Sequence, residues 1–105
     1  MSHNFKIVIH RSGSNLQLNL AGDFDGSSAF ELLNILQANL DNTTHVFINT
    51  SGLKKIHPFG REVFNHHFAE LKKHQPHIWF VGDNAGQIAP AEIRHWWMDR
   101  IHHIA

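Results

Sequence analysis

The sequence predicts an α/β fold: a mixed β-sheet of four or more strands with an antiparallel edge hairpin, covered by helices. Three observations carry this reading. Apolar and polar residues alternate over residues 5–20 on either side of a glycine turn. Two later apolar runs, residues 45–49 and 77–82, are too short for helices and rich in aromatic and β-branched side chains. The stretches that precede them place apolar residues at helical spacing, where parallel strands would need crossover connections. The element order is β-β-α-β-α-β-α.

Phe5, Ile7 and Ile9 fall on one face of the first strand, over residues 5–10. Arg11-Ser12-Gly13-Ser14-Asn15 is a turn by its glycine and small polar residues. In the next strand Leu16, Leu18 and Leu20 face one way and Gln17 and Asn19 the other, giving a hairpin with one solvated side. Residues 22–28 interrupt the strand pattern. Phe30, Leu33, Ile35, Leu36 and Leu40 then mark the apolar positions of a helix over residues 27–39. Asp25 or Ser27 supplies the N-cap, and the positive end of the helix dipole favours Asp25 and Glu31. Asp41-Asn42-Thr43-Thr44 ends the helix.

Residues 45–49 read as a central strand buried on both faces. Residues 49–60 are a loop leading to Pro58, whose missing N–H costs nothing in a first helical turn. Over residues 59–73, Val63, Phe64, His67, Phe68 and Leu71 form one stripe, while Arg61, Glu62, His66, Glu70 and Lys73 point away. Residues 77–82 form a fourth strand and residues 83–89 a loop or broken turn. Pro90 then starts a third helix with Ile93, Trp96, Trp97, Ile101 and Ile104 on one side.

At 105 residues the chain is expected to be a single domain, 1–105, able to bury one core. Nine basic and nine acidic residues cancel, so nothing draws it to nucleic acid or an anionic membrane. The lack of cysteine excludes disulfides, thiol catalysis and thiolate metal sites. No apolar run approaches the roughly 20 residues of a membrane span, and the N-terminus lacks a signal-peptide layout. The expectation is a soluble cytoplasmic protein.

Several short stretches, in order, resemble the STAS domain family of bacterial anti-sigma-factor antagonists and sulphate-transporter cytosolic domains. Leu20-Ala21-Gly22-Asp23-Phe24-Asp25 is similar to the strand-Gly-Glu-Leu-Asp turn before that family's first helix. Ser51-Gly52 follows the third strand as in the family, Gly60 opens the second helix, and Phe80-Val81-Gly82 resembles the fourth-strand ending. The likeness covers about residues 5–90. Where the family carries Asp-Ser-Ser-Gly, with the second serine phosphorylated by a partner kinase, this chain has His57-Pro58-Phe59-Gly60. Phenylalanine offers no hydroxyl to accept phosphate.

What the resemblance implies is a protein-interaction module; with Phe59 at the serine position it is expected to be independent of serine phosphorylation, and it is expected to be non-enzymatic and without cofactors. Its expected partner-binding residues are Lys55, His57, Pro58, Phe59, Arg61 and Glu62. The partner would be an anti-sigma factor or a related kinase-like protein; the alternative is the ATPase of a lipid or anion ABC-type transport complex, with the chain as its STAS subunit. Phe59 either contacts a partner or tucks onto the core beside Val63, and the sequence leaves both open. His57 is expected to be an exposed loop residue rather than a cap, and Lys54, Lys55 and Arg61 a solvated basic rim. Trp97 is expected to pack on the sheet, while Trp96 leaves room for a homodimer contact.

Eleven histidines invite a metal site, but their spacing does not supply one. His66 and His67 point about 100° apart on a helix, and His67 and His74 are too far apart for a helical ligand pair. His67, on the apolar stripe, is expected to be a hydrogen-bonded core residue. No serine sits in a nucleophile elbow and no Gly-rich phosphate loop is present, so the chain is expected not to be an enzyme.

Overall fold

A two-residue turn, Gly13-Ser14, joins β1 (Lys6–Ser12) to β2 (Asn15–Phe24) in the computed structural model, which describes residues 4–71 and 77–89. Gly13 takes φ +61°, a conformation that glycine adopts without a Cβ penalty. The hairpin is longer than the alternation alone suggests. Arg11, Ser12 and Asn15 belong to the strands, and β2 runs on through Gly22 and Asp23 to Phe24.

That extension exists because β3 (His45–Ile56) lies parallel alongside it, pairing Ala21 with Gly52, Gly22 with Leu53, Asp23 with Lys55 and Phe24 with Ile56 across two register shifts. Residues 50–56, expected as loop, are therefore strand. A partner strand overrode local glycine signals at Gly22 and Gly52. The sheet order is β1-β2-β3-β4, with β4 (His77–Val81) parallel to β3 and only the first pair antiparallel. This is the mixed sheet with an antiparallel edge hairpin that the sequence predicts.

The crossover helices α1 (Gly26–Asn39) and α2 (Pro58–Leu71) pack on one face. Leu16, Leu18 and Leu20 of β2, Val46 and Ile48 of β3, and Ile78 and Phe80 of β4 meet Ala29, Leu32, Leu33 and Leu36 of α1 and Phe64, Phe68 and Leu71 of α2. Each of these side chains other than Ala29 contributes about 1.5–3 kcal/mol when fully buried. The buried set on α1 follows the spacing of Ala29, Leu32, Leu33 and Leu36, so Phe30 falls off the stripe and is 48% exposed. That corrects its expected place on the core face.

The opposite sheet face alternates out of the core. Phe47 and Trp79 are half-buried there and stack at 6.4 Å, with His45 over His77 at 5.2 Å. Among the described residues, β3 is thus fully buried on one face rather than both. His67 is corrected likewise. It is half-buried, with its ring 5.4 Å from Phe30 and 5.1 Å from His66.

Polar ties fix both ends of the layer. The Arg11 guanidinium donates to the Asn42 and Gly13 carbonyls at 3.0 and 3.3 Å, to Thr43 Oγ1 at 2.9 Å and to Asn39 Oδ1 at 3.2 Å. It thereby pins the hairpin turn to the end of α1 and the 3₁₀ turn Leu40–Asn42. At the other end Thr50, fully buried, donates to the Val81 carbonyl at 2.9 Å and accepts from the Asn84 N–H at 3.1 Å. Asn84 Nδ2 donates to the carbonyls of Thr50 and Leu53 at 3.0 and 3.2 Å. A short helix, α3 (Ala85–Ile88), follows inside the stretch expected as a loop. The expected helix from Pro90, with Trp96 and Trp97, and the positions of Lys73 and His74 lie outside the described residues.

Candidate functional site

The starts of α1 and α2 meet at one corner, above the ends of β2 and β3. The His57 N–H donates to the Phe24 carbonyl at 2.9 Å, which holds the end of β3 against the end of β2. Pro58 begins α2, as its fixed φ and missing donor favour. The Arg61 N–H closes the first turn on the His57 carbonyl at 3.1 Å. Gly60 is buried against the backbone of Asp25, so closely that a Cβ there would lie 2.8 Å from the Asp25 carbonyl carbon and oxygen. The glycine is required by contact between helices.

Asp25 is the N-cap of α1. Its Oδ1 accepts from the Ser28 N–H at 2.9 Å and from the hydroxyls of Ser27 and Ser28 at 2.9 and 3.0 Å. Partial desolvation pushes the carboxyl up, but these three donors outweigh it and hold the pKa below its ordinary value. Of the two expected caps, Asp25 is the one that acts.

Phe59 lies across this corner. A Cβ at Gly26 would come within 2.8 Å of the Phe59 ring, so the phenyl edge rests on the first residue of α1. The rest of the side chain faces outward and Phe59 is 67% exposed. It does not tuck into the core. Beside it, Phe59, Glu62, Val63, Asn65, His66 and His67 line an open concavity of about 530 Å³. His67 also lines the neighbouring groove between α1 and α2, together with Phe30.

The six residues expected at the partner-binding face divide by position. Lys55 lies on β3, paired with Asp23, rather than in a loop. His57, Pro58, Phe59 and Glu62 are exposed around the start of α2. Arg61 is half-buried with its Nε enclosed, so it departs from the solvated rim expected for it. Phe30 was not expected here. Its displacement from the spacing of Ala29, Leu32, Leu33 and Leu36 is the signal that could have placed it outside.

Chemically, the corner offers an aromatic surface flanked by both signs of charge, from Lys54, Lys55 and Glu62, and no hydroxyl at position 59. Among the described residues no group of three or more histidine, cysteine or acidic side chains is placed to hold a metal ion.

Two solved structures share this fold. One is the anti-sigma factor antagonist SpoIIAA in its unphosphorylated form, 14% identical, with a TM-score of 0.59, covering 93% of this chain and 97% of that one. The other is an uncharacterized DUF3478-family protein from Shewanella loihica PV-4, itself described as SpoIIAA-like, 14% identical, with a TM-score of 0.58, covering 98% and 80%. The fold is STAS-like, of the SpoIIAA type. A crystal structure of Mglu shares it at 18% identity and a TM-score of 0.63 over 72% of this chain, which spans only 19% of that longer one. No protein-family model matches the STAS-like chain, and no curated protein does. At this chain's corner Gly60 packs against the Asp25 backbone, and the residue before it, Phe59, carries no hydroxyl.

Proposed function

We propose that this chain is a non-enzymatic, cytoplasmic protein-interaction module that works like an anti-sigma-factor antagonist but without serine phosphorylation. Its partner docks on the corner formed by Lys55, His57, Pro58, Phe59, Arg61 and Glu62. The observation that carries the reading is the exposure of Phe59, 67%, on a rigid mount. An aromatic ring held outward on a buried glycine and a capped helix start is costly to leave wet and suited to an interface, where aromatic side chains are enriched. The resting contact with Gly26 limits the ring's freedom before a partner arrives, so less entropy is lost on binding.

Likeness to an anti-sigma factor antagonist supports a protein as the partner. None of the described helices is long and apolar enough to cross a membrane. The test is capture of partners from the native host with the unaltered chain and with Phe59→Asp. The aspartate is expected to weaken capture of the specific partner by roughly 30-fold or more, the equivalent of a hot-spot loss of about 2 kcal/mol. Undiminished capture by a folded Phe59→Asp chain would remove Phe59 from the interface.

A further inference from the structure

We propose that the free edge of β1 pairs with β1 of a second copy of this chain, the two strands running antiparallel about a two-fold axis through Val8. The inference does not rest on the reading of the α2 corner. Among the described residues β1 is the outermost strand and has β2 on one side only. Its seven residues pair with β2 without a single register shift, so the edge is straight.

Edge strands are normally blunted by proline, a bulge or outward charge. β1 has no proline and no bulge, and its central residues are Ile7, Val8 and Ile9. Val8 is 50% exposed and Ile9 47%. Of its two cations, Arg11 is turned back onto Gly13, Asn39, Asn42 and Thr43, leaving Lys6 at one end. Ile9 matters most. It is paired with Leu18, which is fully buried, so it belongs to the same apolar layer as the core, yet the described helices leave it half exposed. A second copy would continue that layer.

The register follows from the ladder. A two-residue turn closes on Ser12 and Asn15, so the even residues of β1 direct their backbone groups to β2 and Ile7 and Ile9 direct theirs to the free edge. With the axis through Val8, Ile7 of each copy exchanges hydrogen bonds with Ile9 of the other. Val8 then faces its own counterpart, and Lys6 faces His10 rather than another lysine or arginine. Moving the axis to Ile9 would set Ile7 against Arg11 and Val8 against His10, and of the three central apolar pairs would keep one, Ile9 against its counterpart. A single strand on each side is a small interface, so the dimer is expected to exchange with monomer as concentration changes.

The chain has no cysteine, so one introduced thiol reports on the pairing without interference. In this register the Val8 pair does not exchange hydrogen bonds, and its Cα atoms lie about 4.5 Å apart, inside the range a disulfide spans. At Lys6 the two copies would be about 13 Å apart along the strands. Sedimentation velocity of the full chain is expected to show mass rising toward twice the monomer with concentration. Mild oxidation should link Val8→Cys chains into dimers and leave Lys6→Cys chains largely unlinked. Ile9→Lys should raise the dimer dissociation constant by roughly tenfold or more, while Phe59→Asp leaves it unchanged. Circular dichroism checks that each variant is folded, as its half-exposed or exposed site leads one to expect. A monomer at every concentration, or equal linking of the two cysteine variants, would overturn the proposal.

Discussion

Phe59 and Phe64 sit five residues apart on the same helix and lead opposite lives. Phe64 is fully buried, with its ring edge-on to Phe24 at 6.1 Å and to Phe80 at 5.9 Å, and against Phe68 at 5.3 Å. Phe59 rests its edge on Gly26 and shows the rest to solvent. Five residues turn an α-helix by about 140° relative to its starting face, which is enough to carry one phenyl into the core and the other away from it. The contrast separates what holds the corner together from what the corner displays. Stability resides in the layer beneath, and substitutions at the two sites should not trade effects.

The largest break in that comparison is Phe64→Ala. It removes the ring that joins α2 to β2 and β4, and is expected to cost about 3–5 kcal/mol, against less than about 0.5 kcal/mol for a surface change such as Phe59→Asp. Thermal unfolding of the two variants checks this. Gly60→Ala is next. Alanine would normally gain up to about 1 kcal/mol in a helix interior, but here its methyl meets the Asp25 backbone, which cannot rotate aside, and overpacking costs about 1–3 kcal/mol. The clash is expected to win, lowering the unfolding midpoint. A midpoint that rises would mean that the two helix starts are not held in contact as described.

The element order was readable because both crossover helices and the hairpin strands carry their own period, and β3 and β4 each hold a short apolar run. What the chain hid was everything decided between elements. Gly22 and Gly52 look like breaks, and only the alignment of β2 with β3 makes strand of the residues around them. Phe30 looked like a core residue because phenylalanine is apolar, but Ala29 occupies the tight position against the sheet. Phe59 was undecidable from spacing, since its i+4 neighbour Val63 offered a plausible inward contact. The backbone approach of Gly60 to Asp25 settles where the first turn of α2 sits, and with it where Phe59 points. His67 misled for a related reason: its place on the stripe is correct, but the stripe's edge opens into the groove beside Phe30.

The smallest expected effect sharpens the comparison from below, because Asp25 serves the mount and not the display. Replacing it with alanine removes the acceptor for the Ser28 N–H and should cost about 1 kcal/mol at neutral pH. Asparagine keeps an oxygen at that position and cannot ionise, so Asp25→Asn isolates the charge. The folded-state pKa of Asp25 is lowered, since the Ser28 amide and the two serine hydroxyls outweigh desolvation. The carboxylate's contribution is therefore fully present above the ordinary value of 3.8 and is lost as pH falls through that value toward the folded-state pKa. Below it both states are protonated. The stability difference between the unaltered chain and Asp25→Asn, measured by urea unfolding, should accordingly stay level from neutral pH down to about pH 5 and shrink at lower pH. A difference that grows on acidification would mean that the capping carboxylate is destabilised in the folded chain. The start of α1 could not then serve as the firm seat on which Phe59 rests.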